Sequence, residues 1–193
     1  MKIGFFGGSF DPVHFGHLMA ARDACEQGCL DRVIFIPAAR APLKTAATRT
    51  PGLARLALLR AAIADEPRFA VSDHELRRGG VNYTVDTVKH MRMEFPRAKL
   101  SWIIGGDQLA QLPQWRELTT LAAWVEFIVI ERPGHAVRAP AGLPRGLRLR
   151  HCPGHTLGFS STELRARAKR GLPLDWFTPH KVVALIRRRS LYR

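Results

Sequence analysis

The chain predicts an α/β fold, a single-domain doubly wound parallel sheet, on three observations. Short runs apolar at successive positions, such as Arg-Val-Ile-Phe-Ile-Pro at 32–37, suit strands buried on both faces of a parallel sheet. Stretches of helical period alternate with these runs, as in repeated strand–helix units. Glycine pairs stand directly after two of the runs, Gly7-Gly8 and Gly105-Gly106. In open α/β sheets, ligands gather outside the carboxyl ends of the strands, at the switch point. With 193 residues, 46% hydrophobic and 24% charged, the chain has the size and composition of one domain with a real core. Its expected extent is 1–193, with a helical part from about residue 160 packed on the rest.

Composition removes several classes of function. No apolar run approaches the length that spans a bilayer. The N-terminus has one Lys and an apolar run that stops at Gly7, unlike a signal peptide, so a cytoplasmic protein is expected. Cys25, Cys29 and Cys152 cannot make a full disulfide set and offer no second pair at metal-ligand spacing. The net charge is +14, and residues 138–193 hold 13 Lys and Arg against Glu163 and Asp175, a net of +11. No aromatic residues interleave with Arg187-Arg188-Arg189, as single-strand binders require. A solvated basic face is therefore expected, with no nucleic-acid partner.

Residues 3–6 read as the first strand and 18–27 as the first helix. Between them lies Gly7-Gly8-Ser9-Phe10-Asp11-Pro12-Val13-His14-Phe15-Gly16-His17. Glycines leaving a strand let backbone approach a ligand closely, and a helix start offers N–H groups to phosphate. Residues 32–37 complete a right-handed βαβ unit. The loop at 38–50 carries Arg40, Lys44 and Arg49 and is long enough to be functional. Thr50 and Pro51 read as N-cap and first helical residue, with Leu53, Leu56, Leu59 and Ile63 facing inward and Arg55 and Arg60 facing water. A strand at 69–72 leads into a polar loop at 75–80, and Thr84 caps the next helix. Strands follow at 100–104 and 127–130. The stripe Leu109, Leu112, Trp115, Leu118 is broken at Pro113, and there Trp115 can offer a ring to a flat ligand. A surface loop at 136–146 precedes a half-exposed edge strand at 147–152. Ser160 and Glu163 form a capping box, and Pro179 starts the last helix, whose apolar face is Val182, Val183, Leu185 and Ile186.

Two motifs carry the chemistry. The eleven residues from Gly7 to His17 resemble the signature of the nucleotidyltransferase superfamily, a His-x-Gly-His element after the first strand. Ser160-Ser161-Thr162-Glu163-Leu164-Arg165 resembles its late helix start. Between them, Glu75-Leu76-Arg77-Arg78-Gly79-Gly80, Tyr83-Thr84-Val85-Asp86-Thr87 and Gly105-x-Asp107-x-Leu109-x-x-Leu112-x-x-Trp115 resemble bacterial nicotinate-nucleotide adenylyltransferases. The resemblance runs from residue 2 to about 186.

It implies a Rossmann-like nucleotidyltransferase fold and adenylyl transfer from ATP to nicotinate mononucleotide, giving deamido-NAD and pyrophosphate. It also implies roles for particular residues. His14, His17 and Arg165 would be catalytic. Gly7, Gly8, Ser9, Phe10, Gly105, Asp107, Arg132, Ser160, Ser161 and Thr162 would bind ATP, and Lys44, Tyr83, Thr84 and Trp115 the nicotinate nucleotide. Mg²⁺ would come on the ATP phosphates, since no dedicated carboxylate cage is visible. One departure stands out: the family commonly has His before the Lys of the second loop, whereas Leu43 precedes Lys44 here. Rival expectations are the same chemistry on nicotinamide mononucleotide or phosphopantetheine, a basic nucleic-acid-binding module, and a nucleotide sensor without turnover. The sequence carries no signal of oligomeric state.

Overall fold

Runs of β-branched and aromatic residues form the strands, and the amphipathic stretches between them cross over as helices. The computed structural model describes residues 1–40, 42, 50–131, 138–155 and 157–193. Among these, six strands make one parallel sheet: β1 (Lys2–Gly8), β2 (Arg32–Pro37), β3 (Phe69–Val71), β4 (Lys99–Gly105), β5 (Glu126–Glu131) and β6 (Arg148–Pro153). Their spatial order is β3-β2-β1-β4-β5-β6. The order reverses between β1 and β4, so the crevice for a ligand opens at the carboxyl ends of those two strands. Phe6 pairs with Ile103 there, which brings the Gly7-Gly8 and Gly105-Gly106 pairs side by side.

The helices are α1 (Phe15–Gln27), α2 (Gly52–Ile63), α3 (His74–Arg78), α4 (Thr84–Glu94), α5 (Gly106–Gln111), α6 (Leu118–Trp124), α7 (Ser161–Lys169) and α8 (His180–Arg188). Val33, Phe35, Ile103 and Ile128 turn to one face of the sheet, where Ala21, Leu59, Leu164 and Val182 from α1, α2, α7 and α8 cover them. Ile3, Phe5, Ile34 and Ile104 turn to the other face, under Val88, Leu109 and Leu121 of α4, α5 and α6. A sheet covered on both sides is what all-apolar strands require. β6 lies at the edge, with Cys152 buried and Arg148, Arg150 and His151 exposed, as its alternation suggests.

Several local expectations are corrected. α1 starts at Phe15 rather than at residue 18, so His17 lies in its first turn and His14 is the extended N-cap residue before it. Pro51 is the residue that flanks α2, and Thr50 is buried one position earlier. Thr84 is the first helical residue of α4; Tyr83 stands in the extended flanking position. The polar stretch after β3 is the short helix α3, because Glu75 is buried and its Oε1 accepts a 2.7 Å bond from Thr87 Oγ1. On α2, Leu53 is 75% exposed while Arg55 is 1% exposed, the reverse of their expected places. The physical reason is that three backbone carbonyls beneath the first loop need a donor, and Arg55 supplies it. The helix break at Pro113 is a single 3₁₀ turn over Leu112–Gln114.

Candidate active site

The first loop leaves β1 and crosses the sheet edge before α1. Glycine is needed at two places for close packing. A Cβ on Gly8 would lie 2.8 Å from Phe10 Cζ, and one on Gly16 would lie 3.0 Å from His14 Cε1 and Nδ1. Phe10 sits at φ 46 with its ring buried against Phe6, Phe35 and His17, centroids 5.6, 5.7 and 5.0 Å away. What Phe10 can offer a nucleotide is therefore backbone, while its ring fixes the loop's height.

His14 and His17 stack with centroids 3.8 Å apart, and the His14 N–H donates to His17 Nδ1 at 3.3 Å. His14 is 7% exposed and its Nδ1 is buried without a hydrogen-bond partner. Burial pulls its pKa from 6.5 down to about 4, so the ring is neutral at physiological pH. The unpaired Nδ1 faces inward under Gly16, so burial there keeps the ring neutral and fixes its place beside His17.

The carbonyl side of this loop is taken up by side chains from distant parts of the chain. Arg55 Nη1 donates to Ser9 O at 2.6 Å, Arg165 Nη1 to Asp11 O at 2.7 Å and Ser161 Oγ to Pro12 O at 2.9 Å. Thr178 Oγ1 donates to Val13 O at 2.8 Å, and Tyr192 Oη to Asp11 Oδ1, also at 2.8 Å. The late motif is thus brought directly onto the early one. Ser160 caps α7 by accepting from the Glu163 N–H at 3.2 Å, and Thr162 Oγ1 accepts from Arg165 Nη2 at 3.0 Å. The turn before α7 is anchored by Asp23 of α1, whose carboxylate accepts from the His155 N–H and pairs with its Nδ1, each at 2.8 Å.

Across the switch point, Gly105 flanks α5 and Asp107 lies in its first turn. The Gly105 N–H donates to Gln108 Oε1 at 3.3 Å. Trp115 is half-buried, edge-on to Phe127 at 6.0 Å, and Arg116 lies over the Tyr83 ring at 4.9 Å. Tyr83 and Trp115 pack on the same core, and Thr84 follows Tyr83 at the start of α4. The expected acceptor residues are therefore on the sheet face opposite α1 and α7. Lys44 and Arg132 lie outside the described residues, as does Leu43. Among the described residues, no three His, Cys, Asp or Glu side chains converge as metal ligands, and no helix is long and apolar enough to cross a membrane.

Sequence reasoning missed four contributors. Arg55 carried a readable signal, since it shares a four-residue spacing with Leu59 and Ile63 on the inner stripe of α2. Asp11 lay inside the motif without a role. Thr178 and Tyr192 had no local pattern that could reveal contacts to Val13 and Asp11, which are more than 160 residues away in sequence.

A family model described as cytidylyltransferase-like matches residues 5–167. The protein named probable nicotinate-nucleotide adenylyltransferase of Opitutus terrae is 57% identical over 193 residues, covering 100% of this chain and 98% of that protein. A namesake in Thermus thermophilus is 39% identical over 199 residues, covering 100% of both. Among solved structures, Plasmodium falciparum nicotinic acid mononucleotide adenylyltransferase complexed with NaAD superposes with a TM-score of 0.77. That likeness covers 99% of this chain and 97% of the other at 20% identity, and it speaks for the fold alone. Sequence likeness of this degree along the whole chain makes it a member of the nicotinate-nucleotide adenylyltransferase family, within the nucleotidyltransferase superfamily.

Proposed function

We infer that the chain transfers the adenylyl group of ATP to nicotinate mononucleotide, giving deamido-NAD and pyrophosphate, as the names of its relatives imply. The observation that carries the site assignment is the meeting of His14, His17, Ser161 and Arg165 around one loop at the switch point of the sheet.

An oxygen of the mononucleotide phosphate attacks the α-phosphorus of ATP. The bond to the α–β bridging oxygen breaks, and pyrophosphate leaves with that electron pair. The attacking phosphate is already ionised, so the step needs no general base and no protein nucleophile. What remains for the protein is to position two anions and to offset the charge that builds on the leaving group. His17 and Arg165 suit that second task, His17 from the first turn of α1 and Arg165 from α7. Ser160 and Thr162 bring hydroxyls, and the α7 start its N–H groups, to the β- and γ-phosphates; Ser161, whose hydroxyl donates to Pro12 O, contributes its N–H. Gly7, Gly8, Ser9 and the Phe10 backbone line the α-phosphate side, with His14 beside them. Gly105, Asp107 and Arg132 are assigned to the adenosine. Trp115 would stack on the nicotinate ring, with Tyr83, Thr84 and Lys44 around the ring, its carboxylate and the phosphate. Mg²⁺ would come with ATP and would supply charge compensation on the triphosphate, leaving Arg165 and the α7 start to orient its oxygens.

We also propose that residues 1–193 act as one domain, because α7 and α8 share a core with α1 and α2. The deciding experiment is pyrophosphate release with ATP and Mg²⁺, comparing nicotinate mononucleotide, nicotinamide mononucleotide and phosphopantetheine. Strong preference for the nicotinate form is expected. Preference for either other acceptor would keep the chemistry and overturn the substrate.

A further inference from the structure

Arg55 is the one Lys or Arg among the buried polar residues described, and no substrate role falls to it. A buried guanidinium is costly unless its donors are met. Here Nη1 meets Ser9 O at 2.6 Å, Nη2 meets Ala38 O at 2.8 Å and Nε meets Thr50 O at 3.2 Å. These three carbonyls belong to the first loop and to the two ends of the 38–50 segment. One side chain thus fixes the spacing between the loop assigned to ATP, Ala38 after β2 and Thr50 before α2. The Asp11 carboxylate, 3% exposed, lies close enough to favour the Arg55 charge, and it accepts the Tyr192 hydroxyl at 2.8 Å. Tyr192 thus ties the first loop to residues near the end of the chain through the same carboxylate that favours the Arg55 charge.

Orientation follows from peptide geometry. In a trans peptide the N–H points opposite to the C=O. With the Ser9 and Ala38 carbonyls turned onto Arg55, the N–H groups of Phe10 and Ala39 are turned away from it. Arg55 thereby sets the direction of two peptide dipoles next to the strand end.

We propose that Arg55 and Tyr192 are positioning residues for adenylyl transfer: together they hold the Ser9–Asp11 backbone and both ends of the 38–50 segment in register for the in-line attack. Neither touches substrate. The proposal rests on the adenylyl-transfer function for what that loop holds.

The test compares full-length wild type, Arg55→Lys and Tyr192→Phe in the pyrophosphate assay, with the folded fraction of each taken from circular dichroism and thermal melting. Tyr192→Phe keeps the ring and deletes the hydroxyl that Asp11 accepts; it should stay folded with a lowered melting temperature, and kcat per folded molecule should fall about 5-fold, the worth of one hydrogen bond. Arg55→Lys keeps the charge but cannot span three carbonyls, and should lose about 10²-fold in kcat per folded molecule, as a small misplacement does. In both, kcat should fall more than KM for either substrate rises. A purely structural role would lower the melting temperature and leave kcat per folded molecule unchanged. If Arg55→Lys fails to fold, Tyr192→Phe decides. An active wild type with both folded variants at wild-type kcat and KM overturns the positioning role alone. A wild type that is inactive with all three acceptors overturns the reaction and this proposal with it.

Discussion

The two sides of the crevice are built differently. On the side proposed for ATP, four carbonyls between Ser9 and Val13 accept side-chain donors from α2, α7 and the segment before α8. These contacts span the chain, the Thr178 bond buried and the other three half-buried. On the side proposed for the acceptor, Tyr83, Thr84 and Trp115 stand half-exposed at element ends, braced by an Arg116–Tyr83 contact and by bonds between α3 and α4. The difference matches the division of labour in the reaction. Displacement at the α-phosphorus tolerates little misplacement, so its loop is strapped from outside. Reading one pyridine ring against another needs only a few contacts, and those rest on a locally braced helix start.

The largest effect should come from the strapped side. Replacing His17 by Ala removes the group proposed to meet transition-state charge, and kcat should fall about 10²-fold or more with the melting temperature little changed. A folded His17→Ala enzyme with near-normal turnover would remove His17 from the chemistry. Next comes His14, whose pKa falls from 6.5 to about 4 in the folded chain. The unfolded chain then binds the extra proton between those values, so stability is present above pH 6.5 and is lost as pH falls toward 4. The loss should reach about 3 kcal/mol at most. Urea unfolding at several pH values should show this slope in wild type and a shallower one in His14→Asn; parallel curves would refute it. Proton uptake on ATP binding below pH 6.5 should accompany it, because phosphate beside the ring favours the charged form. On the braced side, Trp115→Ala should raise KM for nicotinate mononucleotide about 10-fold, in line with a lost aromatic contact, and leave KM for ATP within about 2-fold. Equal changes in both would dissolve the contrast between the two sides.

Most of the fold was legible because the inner strands are largely apolar, the edge strand β6 alternates, and the helices are punctuated by Pro, Gly and capping residues. The β1–α1 and α7 motifs were legible because their chemistry is concentrated in consecutive residues. What escaped reading depends on distant partners. The spacing of Arg55 with Leu59 and Ile63 marks it as facing inward, but nothing local says that the Ser9, Ala38 and Thr50 carbonyls converge beneath it. Glu75 looked like a loop residue because its partner, Thr87, lies beyond two glycines in the next helix. Tyr192 sits at φ 66 near the chain end, where propensity carries little information.

The smallest expected effects separate two bonds that brace the same acceptor-side corner. Thr87 Oγ1 donates to buried Glu75 Oε1 at 2.7 Å, whereas Arg78 Nη1 meets Asp86 Oδ2 at 3.0 Å in the half-exposed surface. Thr87→Val leaves a buried carboxylate without its donor and should cost about 1–3 kcal/mol at neutral pH. Burial already raises the Glu75 pKa above 4.5, so the folded chain holds that proton more readily than the unfolded one. Its contribution to stability is therefore full below pH 4.5 and is lost as pH rises through the folded value. Because the Thr87 bond opposes this shift, the cost of Thr87→Val should shrink on acidification, where a neutral carboxyl needs the donor less. Arg78→Ala should change stability by no more than about 0.5 kcal/mol, as exposed pairs do, with an effect that fades in salt. Denaturant titrations of both variants at pH 7 and pH 5 would check the pair. A larger loss from Arg78→Ala than from Thr87→Val would mean that the surface pair, and not the buried bond, sets the angle at which α4 presents Tyr83 and Thr84.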